Sequence, residues 1–335
     1  MNKGFGPVWV IAEQAGCEVE IVSLQLLGKA RELADELGVA CEAILLGRSL
    51  EESARKLTEA GADRVFLADD PALEFYQPEI YRDIICSLAH EHGPEIILAG
   101  STFMGRELAP LVAARLATGL AAHCTGLRHD RNKDLEQLVP AYGGLLSIVC
   151  PEKRPQMATV ARGVFKTPEP DSSRKGEIVL IPVPATAEAR VRTLEVVRES
   201  SSSIELEDAQ VIIAGGAGAC SPEGWETIRE LARTMDAALG CTRPVVDEGW
   251  AFLDAMIGQS GKMVNPAVYL AIGISGEQQH MAGITGAKLM IAINNDPASP
   301  VFQQVDLGVV ENFQEFVPLL IAKIKAYRQK SCLQP

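Results

Sequence analysis

No two of the chain's eight cysteines are spaced as C-x-x-C. Cys17, Cys41, Cys86, Cys124, Cys150, Cys220, Cys241 and Cys332 are scattered over 335 residues, which excludes a zinc knuckle, a thioredoxin-type pair or an iron–sulfur cluster held within this chain. Several, such as Cys86 and Cys150, sit inside apolar runs and read as small buried hydrophobes, so a reducing, cytoplasmic compartment is expected. No run of about 18 uncharged apolar residues occurs, so membrane insertion is not expected. The start of the chain carries a single basic residue, Lys3, and its apolar stretch ends at Glu13, too short for a signal-peptide core. Basic residues are the minority, 31 Lys and Arg against 44 Asp and Glu, for a formal net charge of -13. Such a chain repels phosphate backbones and anionic lipid, which excludes nucleic acid as a main partner but leaves room for one locally bound nucleotide. Aromatics are only 5%, so the core is built from Leu, Ile, Val and Ala. His90, His92, His123 and His129 make no metal spacing with any cysteine, and Ser101 lies outside any G-x-S-x-G, so neither a metal site nor a serine hydrolase is expected.

What is present is an alternation of short apolar runs and amphipathic stripes. Residues 8–13, 41–47, 64–70 and 95–100 read as strands, and 24–37, 49–61, 78–91 and 104–117 as helices. The spacing implies right-handed βαβ crossovers and a parallel sheet, and the unbroken apolar strands imply helices on both faces. Ser49 is the expected N-cap of the second helix, with Glu52 closing a capping box. From about residue 120 the texture changes to a hairpin with a polar tip at Asp130–Asp134. Further strands are expected at 145–150, 156–163, 177–183 and 189–197, so this half reads as antiparallel or mixed. The polar run Glu199–Ser203 is the expected linker, dividing the chain into domains 1–199 and 204–330. The second domain opens with a strand, a glycine turn and a helix capped by Ser221 and ended by Gly240. The strand-to-turn pattern repeats at 268–276 and 287–296, and a helix closes the domain at about 313–328.

Two groups of residues stand out. Gly216-x-Gly218 follows a strand and opens a helix, so its backbone N–H groups either face a phosphate or simply make a tight strand-to-helix turn. The second group is Thr242-Arg243, Gly258-Gln259-Ser260-Gly261-Lys262, Ser275-Gly276, Gln279-His280 and Asn294. These follow strands or lie in loops at their carboxyl ends, where open α/β sheets bind ligands. Hydroxyls, amides, one arginine and one histidine, without paired carboxylates, suit holding a dinucleotide better than hydrolysis. A helix-start histidine held within the fold is the plain alternative for His280. Trp9 and Trp250 read as core or interface.

Across residues 268–296 the chain closely resembles the electron transfer flavoprotein α-subunit signature. The matching positions are Tyr269, Ala271, Gly273–Gly276, Gln279-His280, Gly283 and Ala292–Asn294. Residues 100–127, 142–144, 155–160 and 258–262 look like the same family, so the resemblance covers nearly the whole chain. It implies an α/β fold of two domains. The first is a mostly parallel sheet sandwiched by helices; the second is a doubly wound, flavodoxin-like or Rossmann-like sheet that binds FAD. It implies a heterodimer with a β subunit, an electron carrier between a flavin-dependent dehydrogenase and an acceptor, and no catalytic residue of its own. The alternatives are the α subunit of an NADH-oxidising bifurcating flavoprotein, whose β subunit holds a second FAD, and a nucleotide-binding module without a redox role. By resemblance Arg243 packs on the flavin ring, and Ser260 hydrogen-bonds near N5, within the loop Gly258-Gln259-Ser260-Gly261. Gln279 and His280 lie near the pyrimidine end, Ser275-Gly276 beside the cofactor, and Asn294 and Asn312 by the adenosine. Where many members have G-G-R-G this chain has Gly215-Gly216-Ala217-Gly218, with Lys262 as a candidate substitute cation. In this reading Arg243 and His280 stabilise negative charge on the reduced flavin. Such a bond contributes about 1.5–3 kcal/mol, or roughly 65–130 mV for one electron.

Overall fold

In β1 (Val8–Ala12) both side-chain directions are apolar: Val8, Val10 and Ala12 join one core cluster, Trp9 and Ile11 the other. That is why the strand reads as a continuous hydrophobic run rather than an alternation. The structure, a computed structural model, describes residues 4–141, 144–183, 193, 196, 206–207, 209–219 and 221–331. It divides into two units, Met1–Val197 and Arg198–Pro335. The expected linker 199–203 and almost all of the expected strand 189–197 lie outside the described residues.

In the first unit, β1 is followed by a small hairpin, β2 (Gln14–Ala15) and β3 (Glu18–Val19). Then come α1 (Ile21–Leu37), β4 (Cys41–Gly47), α2 (Glu51–Glu59), β5 (Arg64–Asp69), α3 (Pro78–His92), β6 (Ile96–Gly100) and α4 (Phe103–Arg115). β7 (Leu120–Cys124), β8 (Gly126–His129), β9 (Leu135–Ala141), β10 (Gly144–Val149), β11 (Gln156–Val160) and β12 (Glu177–Leu180) complete it. Seven strands form one parallel sheet in the order β12-β5-β4-β1-β6-β11-β7. Besides the β2–β3 hairpin, β8, β9 and β10 are antiparallel, as a separate three-stranded sheet. The mixed texture expected after residue 120 is therefore a hairpin sheet beside a parallel one, with β11 and β12 returning to the parallel sheet.

The expected Ser49 cap is replaced. Ser49 has a positive φ of 59° and α2 starts from Leu50 without a side-chain cap. The Ser49 and Leu50 N–H groups donate instead to the Asp69 carboxylate, each at 2.7 Å. An acid at the end of the neighbouring strand anchors the turn into the helix, a pairing that no local pattern reveals. At the point where the strand order reverses, between β1 and β6, the buried Glu13 carboxyl accepts the Thr102 hydroxyl at 2.7 Å. Thr102 in turn caps α4 by accepting the Gly105 N–H.

The second unit has five parallel strands, β13 (Val211–Gly215), β14 (Ala238–Cys241), β15 (Val268–Ile272), β16 (Leu289–Asn294) and β17 (Leu307–Val310). Their order is β14-β13-β15-β16-β17, a doubly wound 2-1-3-4-5 arrangement. α5 (Pro222–Met235) and α8 (Phe313–Ser331) pack together, and two short helices, α6 (Arg243–Asp247) and α7 (Gln278–Met281), start just past β14 and β15. Ser221 caps α5 as expected by accepting the Gly224 N–H. The helix does not run to Gly240, however. It ends at Met235, with Asp236 in the left-handed conformation at φ 52°, and Gly240 lies inside β14. A Cβ on Gly240 would sit 2.4 Å from Ile257, so this glycine serves close packing, not helix termination. Among the described residues no helix is long and apolar enough to cross a membrane.

Candidate functional site

Every strand of the second sheet runs the same way, so all five carboxyl ends share one edge. Thr242-Arg243 follows β14, Gly216–Gly218 follows β13, Gly273–Gly276 follows β15, and Asn294 and Asn312 sit at the ends of β16 and β17. At about 4.8 Å per strand the edge spans about 19 Å from β14 to β17, enough for an extended dinucleotide. The 257–262 loop joins this edge through backbone bonds. Ile257 donates to the Cys241 carbonyl at 2.9 Å, and Gln259 donates to the Gln279 carbonyl at 2.7 Å. Gly261 closes the loop by donating to the Gly258 carbonyl.

Glycines make these approaches feasible. A Cβ on Gly258 would lie 2.7 Å from the Gln279 carbonyl oxygen, and one on Gly283 would lie 2.4 Å from the Gly258 nitrogen. Gly276, at φ 87°, would meet the Val301 backbone at 2.6 Å. The first glycine turn has the same purpose. Gly216 and Gly218 donate their N–H groups to the Ile272 and Gly273 carbonyls, each at 2.9 Å. Of the two sequence readings of that turn, the tight strand-to-helix connection holds, because these two N–H groups face the neighbouring strand end.

The side chains divide into exposed and engaged groups. Arg243, Gln259, Ser260, Ser275 and Gln279 are exposed. The Arg243 Nε stands 3.5 Å from an Asp247 oxygen one turn along α6. Thr242 is buried, and its hydroxyl has no hydrogen-bond partner among the described residues. His280 is 7% exposed and its ring turns inward, with Nδ1 2.9 Å from the Ile257 carbonyl and Nε2 2.8 Å from the Tyr269 hydroxyl. Burial pushes its pKa down to about 4, against the opposing bond to Ile257, so the ring is neutral. Both ring nitrogens are thus engaged within the protein in this structure.

Asn294 lines the edge with its amide already occupied. Its Oδ1 accepts the Asp296 N–H, and its Nδ2 donates to the Ile274 carbonyl and the Ser299 hydroxyl. Asn312 accepts the Gln314 N–H and so starts α8. Lys262, the candidate substitute cation, stands 2.8 Å from the Glu207 carboxylate. A polar cleft of about 210 Å³ lies between Gly218, Gly273, Asn294, Glu311 and Asn312, at the N-terminus of α8. Glu311 was not singled out from the sequence, although it stands directly after β17, where the strand-end rule points. Among the described residues no group of His, Cys, Asp and Glu is placed to hold a metal.

Comparison with known proteins agrees with this arrangement. Residues 8–186 match the electron transfer flavoprotein domain, and residues 205–285 match the electron transfer flavoprotein FAD-binding domain. The chain is 42% identical over 321 residues to the electron transfer flavoprotein subunit alpha of Thermoanaerobacterium thermosaccharolyticum, covering 95% of this chain and 97% of that one. It is also 42% identical over 334 residues to the protein of the same name in Clostridium acetobutylicum, covering 97% and 99%. A third relative, 36% identical with 96% of each chain covered, is the acryloyl-CoA reductase electron transfer subunit beta of Anaerotignum propionicum. The chain belongs to the electron transfer flavoprotein α-subunit family, with an FAD-binding domain as its second unit.

Proposed function

We propose that this chain pairs with a β subunit in the cytoplasm, holds FAD along the carboxyl edge of its second sheet and carries electrons between a flavin dehydrogenase and an acceptor. The observation that carries the reading is the convergence of Thr242-Arg243, the 258–261 loop and the 275–280 turn on one edge, held by the Ile257–Cys241 and Gln259–Gln279 backbone bonds. The residues fit the cofactor. The buried Thr242 hydroxyl lacks a partner among the described residues and suits a polar group of FAD. The cleft at the α8 N-terminus, with Glu311 and Asn312, suits a ribose diol and its phosphate.

Bound FAD supplies the electron chemistry. The chain supplies the setting. The Arg243 guanidinium, exposed at the start of α6, offsets negative charge placed against it. Ser260 and Gln279 offer a hydroxyl and an amide from adjoining loops. Gly276, packed on Val301, fixes the turn that carries Gln279. The relative named for acryloyl-CoA reductase supports an acyl-CoA enzyme as the flavin-dependent partner.

The test is the visible spectrum and flavin content of the purified α/β complex. One FAD per heterodimer, without bleaching by NADH, is the expected result. Two FAD with NADH bleaching identifies the bifurcating alternative, and a colourless complex holding only a nucleotide contradicts the reading.

A further inference from the structure

We infer that the first unit carries a second site, in which Ser101 is a nucleophile toward activated acyl esters, His123 is its general base and Arg106 holds the hydroxyl between them. The site lies on the carboxyl edge of the first sheet and does not depend on the FAD reading above.

No local motif surrounds Ser101, and its partners arrive through the sheet. β6 ends at Gly100, and the Ser101 N–H donates to the Val160 carbonyl of β11 at 2.7 Å. β7 lies on the far side of β11 from β6. There the register slips. Ala121 faces Ala158 but Cys124 faces Val160, so β7 holds one residue more than β11 over the same span. His123 sits in that bulge at a left-handed φ of 59°, and its N–H donates to the Thr159 hydroxyl at 2.9 Å. Bulges re-aim side chains and recur beside active sites. This one brings the imidazole Nδ1 to 3.0 Å from the Ser101 Oγ.

The protons around Ser101 have one consistent placement. Arg106 Nε can only donate, and it stands 3.3 Å from the Oγ. The single hydroxyl proton then goes to Nδ1, so the neutral ring carries its own proton on Nε2. Burial, and after it the Arg106 charge, lowers the His123 pKa below 6.5, which keeps Nδ1 free to accept at pH 7. A hydroxyl in hydrogen-bond reach of a basic nitrogen, with the base held by a third group, is the arrangement that activates a serine. Ser101 is partly exposed and Arg106 is exposed, so a small ester can reach the hydroxyl. The Phe103 and Met104 N–H groups open α4 without helical acceptors and supply donors beside Ser101 for the carbonyl oxygen.

In the reaction the Oγ bonds to the ester carbonyl carbon while its proton passes to Nδ1. The bond from that carbon to the alcohol oxygen breaks, and Nδ1 returns the proton to the leaving alcohol. Water then attacks the acyl-serine and gives a proton to Nδ1. The carbon–Oγ bond breaks, Ser101 recovers the proton and the acid leaves.

The experiment treats the purified α/β complex with a fluorophosphonate and, separately, with 4-nitrophenyl acetate. Peptide mapping of the parent is expected to find the phosphonyl group on Ser101, with fluoride released, and the ester is expected to be cleaved faster than in buffer. Ser101→Ala removes the nucleophile, and His123→Gln keeps an acceptor for the hydroxyl but no base. Each is expected to lose about 100-fold or more of the cleavage rate, with thermal unfolding at the parent value. A parent complex without a phosphonyl group on Ser101, or a Ser101→Ala complex that cleaves the ester at the parental rate, would overturn the proposal. Where a variant unfolds, the position of the label on the parent decides alone.

Discussion

Gly283→Ala is expected to displace the 258–262 loop and to remove most of the bound FAD. The added Cβ would stand 2.4 Å from the Gly258 nitrogen and 2.6 Å from its Cα, both backbone atoms that cannot rotate away. Gly258 has no room to retreat, because a φ of 145° and the Gln279 carbonyl confine it. Overpacking of this kind costs about 1–3 kcal/mol, and at about 1.4 kcal/mol per tenfold change it weakens FAD by about 5- to 150-fold. Fluorescence of released flavin during dilution of the α/β complex measures it. Parent-like retention of FAD would show that the loop does not hold the cofactor.

Glu13 is expected to make the first unit less stable as the pH rises from 4.5 to 7. Its carboxyl is 6% exposed, and burial pushes its pKa up to about 7; the Glu20 charge adds to this, while the Thr102 and Gly100 hydrogen bonds and Arg162 oppose it. The Thr102 hydroxyl bond and the Gly100 backbone bond do not outweigh burial of the carboxyl. Between the ordinary value of 4.5 and about 7 the folded form holds a proton that the unfolded chain has lost. The stabilisation is fully present below pH 4.5 and is lost through the folded pKa, by about 3 kcal/mol in all. Glu13→Gln removes the titration. Thermal unfolding of the first unit should then show a gain for the variant at pH 8 and near equality at pH 4.5. Parallel pH profiles for both proteins would contradict the assignment.

Much of this architecture is readable in the sequence where one cause dominates locally. Unbroken apolar runs such as Val8–Ala12 and Val268–Ile272 announce strands covered on both faces. The carboxyl-edge rule placed Thr242, Gly258, Ser275 and Asn294 near one another before any coordinates. The misreadings share a different origin, contacts between residues far apart in the chain. Ser49 looked like a cap until Asp69, from the next strand, took the N–H groups. Gly240 looked like a helix stop, but the constraint on it is Ile257. For His280 the sequence leaves open a ligand contact and a ring satisfied within the fold, and the Ile257 carbonyl and Tyr269 hydroxyl that engage both ring nitrogens have no local signal. Gly216 and Gly218 fit a phosphate turn by pattern, whereas their N–H groups answer the Ile272 and Gly273 carbonyls. Pattern located the edge, and pairings across the sheet decided what each residue does there.

We propose that a flavin lies on this edge with the Arg243 guanidinium against it. Potentiometric titration of the Arg243→Ala α/β complex tests it most directly. The guanidinium is 71% exposed, so solvent screens it, and the expected fall in the first reduction potential lies toward the lower end of the roughly 65–130 mV that a charge-assisted bond supplies. An unchanged first potential, with FAD still bound at full stoichiometry, would contradict the claim.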